Sequence, residues 1–288
     1  MAYVNQGTVN GRTHHYNATA EVLSGQLHVP VAQQIAPQTR ATLPDEGGYF
    51  SQRAEEYRLE SLISVDSSYT HVTGNLDTKP GHGWTTLVTT VIEGLNVMEI
   101  VTADRIVGQI ITVHPLKGYV PKINFLGSRF ENLRIAGFPV QVDLDLNVLG
   151  PKPVKDGPYT LSSDVAARLE GPFEHLKKRE ALPPEVRRRY NRLSSTLGSS
   201  PQEEVECSLV KGVTGNFPGE LHGHVITIPS FGTVILGKLT VKHEDFKKGT
   251  HTPKKTTVTL TMIDFHFGCP IGGSGSTGTG SSNGSTVP

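Results

Sequence analysis

The sequence predicts a mainly β fold: an antiparallel β-sandwich-like domain, interrupted by a helical insertion and followed by a flexible Gly/Ser/Thr tail. Three observations carry this expectation. From Val140 to Asn147 the chain alternates, with Val140, Val142, Leu144 and Leu146 on one side and Gln141, Asp143, Asp145 and Asn147 on the other. Period two places the apolar set on one face of a strand. The run Glu99 to Gly108 is rich in β-branched residues, which suit a pleated, half-buried surface better than a helix. Composition agrees: 31 glycines and 19 prolines, with 36% hydrophobic and 19% charged residues, fit many short strands joined by turns.

In chain order, residues 3–29 contain two β-like runs. His14 and His15 are adjacent there, so on a strand they point to opposite faces and cannot share a metal. Residues 30–56, rich in Pro, Gln and Gly, read as a long loop. Alternation returns from Leu59 to Thr73, and Lys79 to Gly83 is a turn cluster. Trp84, the only tryptophan, opens a strand through Ile92. Gly94 and Asn96 signal a turn, and Leu133 with Ile135 forms a short strand that Gly137 and Pro139 break.

Prolines and glycines at 151–158 mark a break, after which the pattern turns helical. Asp164 to Leu169 starts this segment, with Ser162 or Ser163 as N-cap. Phe173 to Leu182 continues it, and Pro184 opens the clearest helix. Val186, Tyr190, Leu193 and Leu197 make one apolar stripe, and Gly198 ends it. From Glu206 to Phe267 the reading is β again, with a tight connection at 229–232 and an exposed hairpin tip within 242–255. The expected organisation is therefore a β domain of residues 1–160 and 203–268, a helical insertion of 161–202 and a disordered tail of 269–288.

A resemblance adds to this reading. The pattern Phe130-x-Asn132-Leu133-x-Ile135-x-Gly137-x-Pro139, preceded by Gly94-Leu95 and Ala103-Asp104, resembles the bacterial exported proteins grouped as "choice-of-anchor P". Leu209-Val210-Lys211, His224 to Val234, and Leu260-Thr261-Met262 with Gly268 to Gly273 are similar to it as well. Near the start, Pro37 to Gly48 fits more loosely. The resemblance implies a secreted or cell-surface protein of unassigned activity, with cell-envelope or surface components as partners. Its motifs are Gly, Pro and apolar residues, which fix backbone turns and carry no chemistry.

Lys plus Arg and Asp plus Glu number 27 each, so no global field draws the chain to nucleic acid or an anionic membrane, and neither is an expected partner. No apolar run reaches the ~20 residues of a membrane helix. The first residues show neither the basic start nor the apolar run of a signal peptide. The two cysteines, Cys207 and Cys269, leave a disulfide and two separate thiols as equal readings.

No nucleophile elbow, His-Glu-x-x-His or Walker loop occurs, and the leading expectation is a structural or binding protein with no cofactor. The alternative is a metal-dependent hydrolase. His222 and His224, at i and i+2 on a strand, would face one side, and Asp264 with His266 repeats that spacing; neighbouring strands would bring all four around one zinc ion. Against this, Phe265 and Phe267 alternate with Asp264 and His266 as if the aromatics faced the core. Arg187, Arg188, Arg189 and Arg192 could take phosphate, but Asp164, Glu174, Glu180 and Glu185 lie in the same segment, which favours a solvated helix face. Asp143 and Asp145 read as a solvated polar face rather than a catalytic pair. Exposed aromatics for carbohydrate would come from Tyr49, Phe50, Tyr57, Tyr69 and Trp84.

Overall fold

A computed structural model describes residues 8–9, 11–28, 32–77, 83–177, 182–198, 204–268 and 272–287. Its strands in chain order begin with β1 (Thr8–Val9), β2 (Arg12–His15), β3 (Ala18–Leu27) and β4 (Gln33–Leu43). Then follow β5 (Gly48–Leu59), β6 (Ile63–Leu76), β7 (Trp84–Val97) and β8 (Val101–His114). Short strands β9 (Lys122–Asn124), β10 (Arg129–Glu131) and β11 (Arg134–Ile135) lead to β12 (Phe138–Leu144). Among the described residues three α-helices come next: α1 (Ser163–Glu170), α2 (Glu174–Lys177) and α3 (Pro184–Thr196). The chain ends in β13 (Val205–Ser208), β14 (Val210–Gly215), β15 (Glu220–His222), β16 (Val225–Ile228), β17 (Gly232–Phe246), β18 (Pro253–Phe267), β19 (Gly273–Ser282) and β20 (Ser285–Val287).

These strands form two antiparallel sheets, as the alternation predicts. One sheet runs β5-β6-β7-β8, with β9, β10 and β11 along the far side of β8, then β12 and β14. The other runs β4-β3-β19-β18-β17, with β13 and β16 sharing β17 and β15 outermost; β1, β2 and β20 extend it at one end. Between the layers lies a continuous core that includes Val88, Ile92, Ile106, Ile110, Leu260, Met262 and Phe265, each at most 1% exposed. Burying such side chains supplies the main driving force, about 25 cal/mol per Å² of apolar surface.

The helical insertion forms as expected. Ser162 caps α1 by accepting from the Val165 N–H, and Pro184 sits in the first turn of α3, where its missing N–H is no loss. Val186, Tyr190 and Leu193 of α3 are buried, so the stripe packs.

Two expectations are corrected. The expected loop of residues 30–56 is not one: from residue 32 on, it holds β4 and most of β5, joined by a turn in which the Gly47 N–H donates to Pro44 O. Both are sheet edges; β4 buries Ile35, Ala41 and Leu43, while β5 is mostly exposed and is held by backbone pairing to β6 on one side. The Gly/Ser/Thr run is not a tail either. β19 lies inside the sheet, paired with β18 on one side and β3 on the other. Its small residues are a packing requirement. A Cβ at Gly275 would lie 2.5 Å from the Phe265 ring, and one at Gly280 would lie 2.9 Å from Val88 in the facing layer. Large side chains of neighbouring strands fill the space that β19 leaves empty.

Candidate binding groove beneath the arginine helix

The insertion covers the outer face of the second sheet. Phe173, Leu176, Leu182, Val186 and Tyr190 form a satellite apolar cluster with Val225 of β16 and Ile235 of β17. The Tyr190 hydroxyl donates to His222 O at 2.8 Å and lies 3.4 Å from His224 Nδ1. Phe173 packs on His224 with ring centroids 5.2 Å apart. Burial, and then the charges of Arg189 and Lys238, lower the His224 pKa to about 3, so this imidazole is neutral at pH 7.

The sequence expectation placed His222 and His224 on one strand face. Instead His222 pairs with Val225, so Gly223 and His224 are the two-residue loop of the β15–β16 hairpin. Gly223 has φ 68°, the left-handed conformation that glycine adopts at no steric cost in such turns. A Cβ there would meet the Tyr190 hydroxyl at 2.5 Å and Phe173 at 2.6 Å. His222 Nε2 is 3.2 Å from Glu220, while His224 is wedged among aromatics.

Asp264 and His266 lie on β18, separated from β16 by β17. Asp264 is 7% exposed and accepts from Lys238 Nζ at 2.6 Å; His266 Nε2 is 3.9 Å away from it and half-exposed. Phe265 and Phe267 face the core as their alternation indicates. The four side chains do not converge. Among the described residues no group of three or more His, Cys, Asp or Glu is placed to hold a metal ion, so the geometry does not fit the zinc site.

The structure builds a different constellation, which the sequence did not reveal. Arg189 of α3 pairs with Glu206 of β13; Lys238 of β17 lies 3.9 Å from Glu206 and 2.6 Å from Asp264. Burial lowers the Arg189 pKa, and the charges of Asp264, Tyr190 and Glu185 oppose that shift. This alternating row ties the helix to three strands. Beside it a groove of about 900 Å³ opens between α3 and the sheet. Glu185, Arg188, Arg189 and Arg192 form its roof, and Val225, Thr227, Thr233, Ile235 and His266 form its floor. Glu204 and Glu206 also line it. Glu185 and Glu206 act on Arg189, and Glu204 acts on Lys242. Arg188 and Arg192 are exposed and have no ion partner among the described residues.

Other candidates separate. Asp143 is exposed and 4.0 Å from Lys211, a solvated pair. Trp84 is fully buried and stacked on His14 at 5.2 Å, so it offers no surface to a sugar. His14 is buried and His15 exposed, on opposite faces of β2 as their adjacency requires. Cys207 is a buried free thiol, and Cys269 lies outside the described residues.

Fold and groove define a two-layer β-sandwich protein with a helical cover over one outer face. Residues 14–242 match a family described as a domain of unknown function (DUF8256), and the chain belongs to that family. The match ends within β17, while β18, β19 and β20 complete the same sheet. No curated protein and no solved structure matches the chain.

Proposed function

We propose that this protein is a binding protein of the extracytoplasmic or cell-surface kind. Its groove under α3 takes an amphipathic ligand that carries a carboxylate or phosphate. One observation carries the proposal: Arg188 and Arg192 stand at the groove with no ion partner among the described residues, above a floor partly made by Val225 and Ile235. Guanidinium forks match carboxylate and phosphate oxygens, and the groove volume falls within the usual range for small-ligand sites. The resemblance to exported proteins supports the cell-surface setting; fractionation of the native host tests it, and recovery only from the cytoplasm removes it.

Calorimetric titration of the full chain with decanoate and with decyl phosphate tests the groove. Saturable binding is expected, weakened about tenfold or more in the Arg188→Ala/Arg192→Ala variant, since each charge-assisted hydrogen bond contributes roughly 1.5–3 kcal/mol. Neither ligand binding at millimolar concentration, or binding unchanged in that variant, refutes it.

A further inference from the structure

The two sheets end differently at their edges. β1 has two residues, β15 three and β14 six. β4 is longer, but it carries Pro37 and a left-handed Thr39 with φ 46°. Short length, proline and local backbone distortion are the devices that keep an edge strand from pairing with another chain. β5 has none of them. It runs 12 residues, keeps one register against β6 from Gly48–Gly74 to Leu59–Ile63 with only Glu56 left out of the pairing, and contains no proline. Its other edge has no backbone partner among the described residues. Tyr49 and Phe50 are 62% and 44% exposed.

What remains to protect this edge is charge, and the charges are self-complementary. Glu56 and Arg58 pair within the strand at 2.7 Å. Arg53 and Glu55 are exposed with no ion partner among the described residues. Along an antiparallel edge only every second residue directs its N–H and C=O outward. Two copies of β5 related by a two-fold axis can therefore pair only residues of equal parity. An axis through Arg53 sets Arg53 against Arg53, and one through Glu55 or Glu56 sets like carboxylates together. An axis through Gln52 shortens the overlap and leaves Arg53 without an opposite charge, and one through Tyr57 sets Arg58 against Glu56 but overlaps only residues 55–59. An axis through Ala54 puts each Arg53 opposite the other copy's Glu55, twice by symmetry, and overlaps residues 49–59. Opposite charges directly across a ladder stabilise it and like charges destabilise it.

The geometry points to a second copy of this chain as the occupant of the β5 edge, in an antiparallel, two-fold pairing centred on Ala54 that joins the two β5-containing sheets into one. The interface is isologous and closes on itself, so it gives a dimer and no fibre.

Sedimentation of the full chain over a concentration series tests this, with circular dichroism to verify folding. The native chain is expected to form a dimer that weakens at high salt. Arg53→Glu alone and Glu55→Arg alone each place like charges opposite one another, and should weaken the dimer roughly tenfold to a hundredfold. The double variant Arg53→Glu/Glu55→Arg restores both pairs and should restore the dimer. Both substitutions are on exposed side chains, so the fold should be unaffected. A native chain that stays monomeric, single variants that dimerise like the native chain, or a double variant as weak as the single ones would each overturn the proposal.

Discussion

Lowering the pH from 7 to 5 should remove a large part of this protein's stability, through four imidazoles held neutral inside it. His14, His114, His224 and His243 are each 1–2% exposed. Burial is the largest cause in every case and lowers their pKa values to about 2, 4, 3 and 4 respectively. His14 also faces the charge that His114 would carry, with the rings 4.5 Å apart. His243 Nε2 accepts the Tyr159 N–H at 3.0 Å, and a proton there would end that bond. In the unfolded chain these groups titrate near the ordinary value of about 6.5. Between pH 6.5 and their folded values the unfolded state therefore binds more protons, and stability falls as pH falls. At pH 5 each histidine is about 1.5 pH units below its unfolded pKa, worth about 2 kcal/mol at ~1.36 kcal/mol per unit. Four of them total on the order of 8 kcal/mol, comparable with the ~5–15 kcal/mol that holds a typical domain together. Urea unfolding at pH 7.5, 6.5, 5.5 and 5.0, followed by the fluorescence of buried Trp84, measures this. The midpoint should fall steadily below pH 6.5, with close to four protons taken up on unfolding at pH 5. A midpoint constant from pH 7 to 5 would show that these rings are hydrated or partnered in solution, and the reasoning would be wrong.

Three further outcomes are expected. Leu193→Ala should destabilise by roughly 2–5 kcal/mol, because Leu193 is 4% exposed and packed in the core; exposed Arg188→Ala should stay within about 0.5 kcal/mol, and equal unfolding midpoints would mean that α3 is undocked. Truncation after Gly272 removes β19 from between β18 and β3 and should leave no cooperative unfolding transition, whereas a native-like transition would restore the reading of this run as a tail. Cys207, whose burial raises its pKa, should resist a thiol reagent in the native state and react only on unfolding; rapid native labelling would contradict its placement.

The arginine helix and the groove illustrate how far the sequence reached towards a site. The apolar stripe of α3 was legible because Val186, Tyr190 and Leu193 recur at helical spacing, and it followed that Arg188 and Arg192 lie off that stripe. That Arg189 would be drawn to Glu206, leaving the other two with no ion partner among the described residues, was not legible. It depends on β13 lying beside β17 in the register that pairs Ser208 with Lys238. The His222/His224 expectation failed for a related reason. Two histidines separated by a glycine satisfy both a strand and a tight turn, and the hairpin register chose the turn.

By itself the sequence determined the fold class, the antiparallel alternation, the helical insertion and the opposite facing of His14 and His15. These follow from side-chain period and from the backbone preferences of proline and β-branched residues, which act locally. Tertiary structure alone decided that the Gly/Ser/Thr run would lie between β18 and β3. A strand of small polar residues carries no apolar signal of its own, and its place is set by Phe265, Met262 and Val88, whose bulk requires glycine at 275, 278 and 280. It also decided that polar β5 would be an ordered edge, since edge strands are held by hydrogen bonds to one neighbour and not by burial.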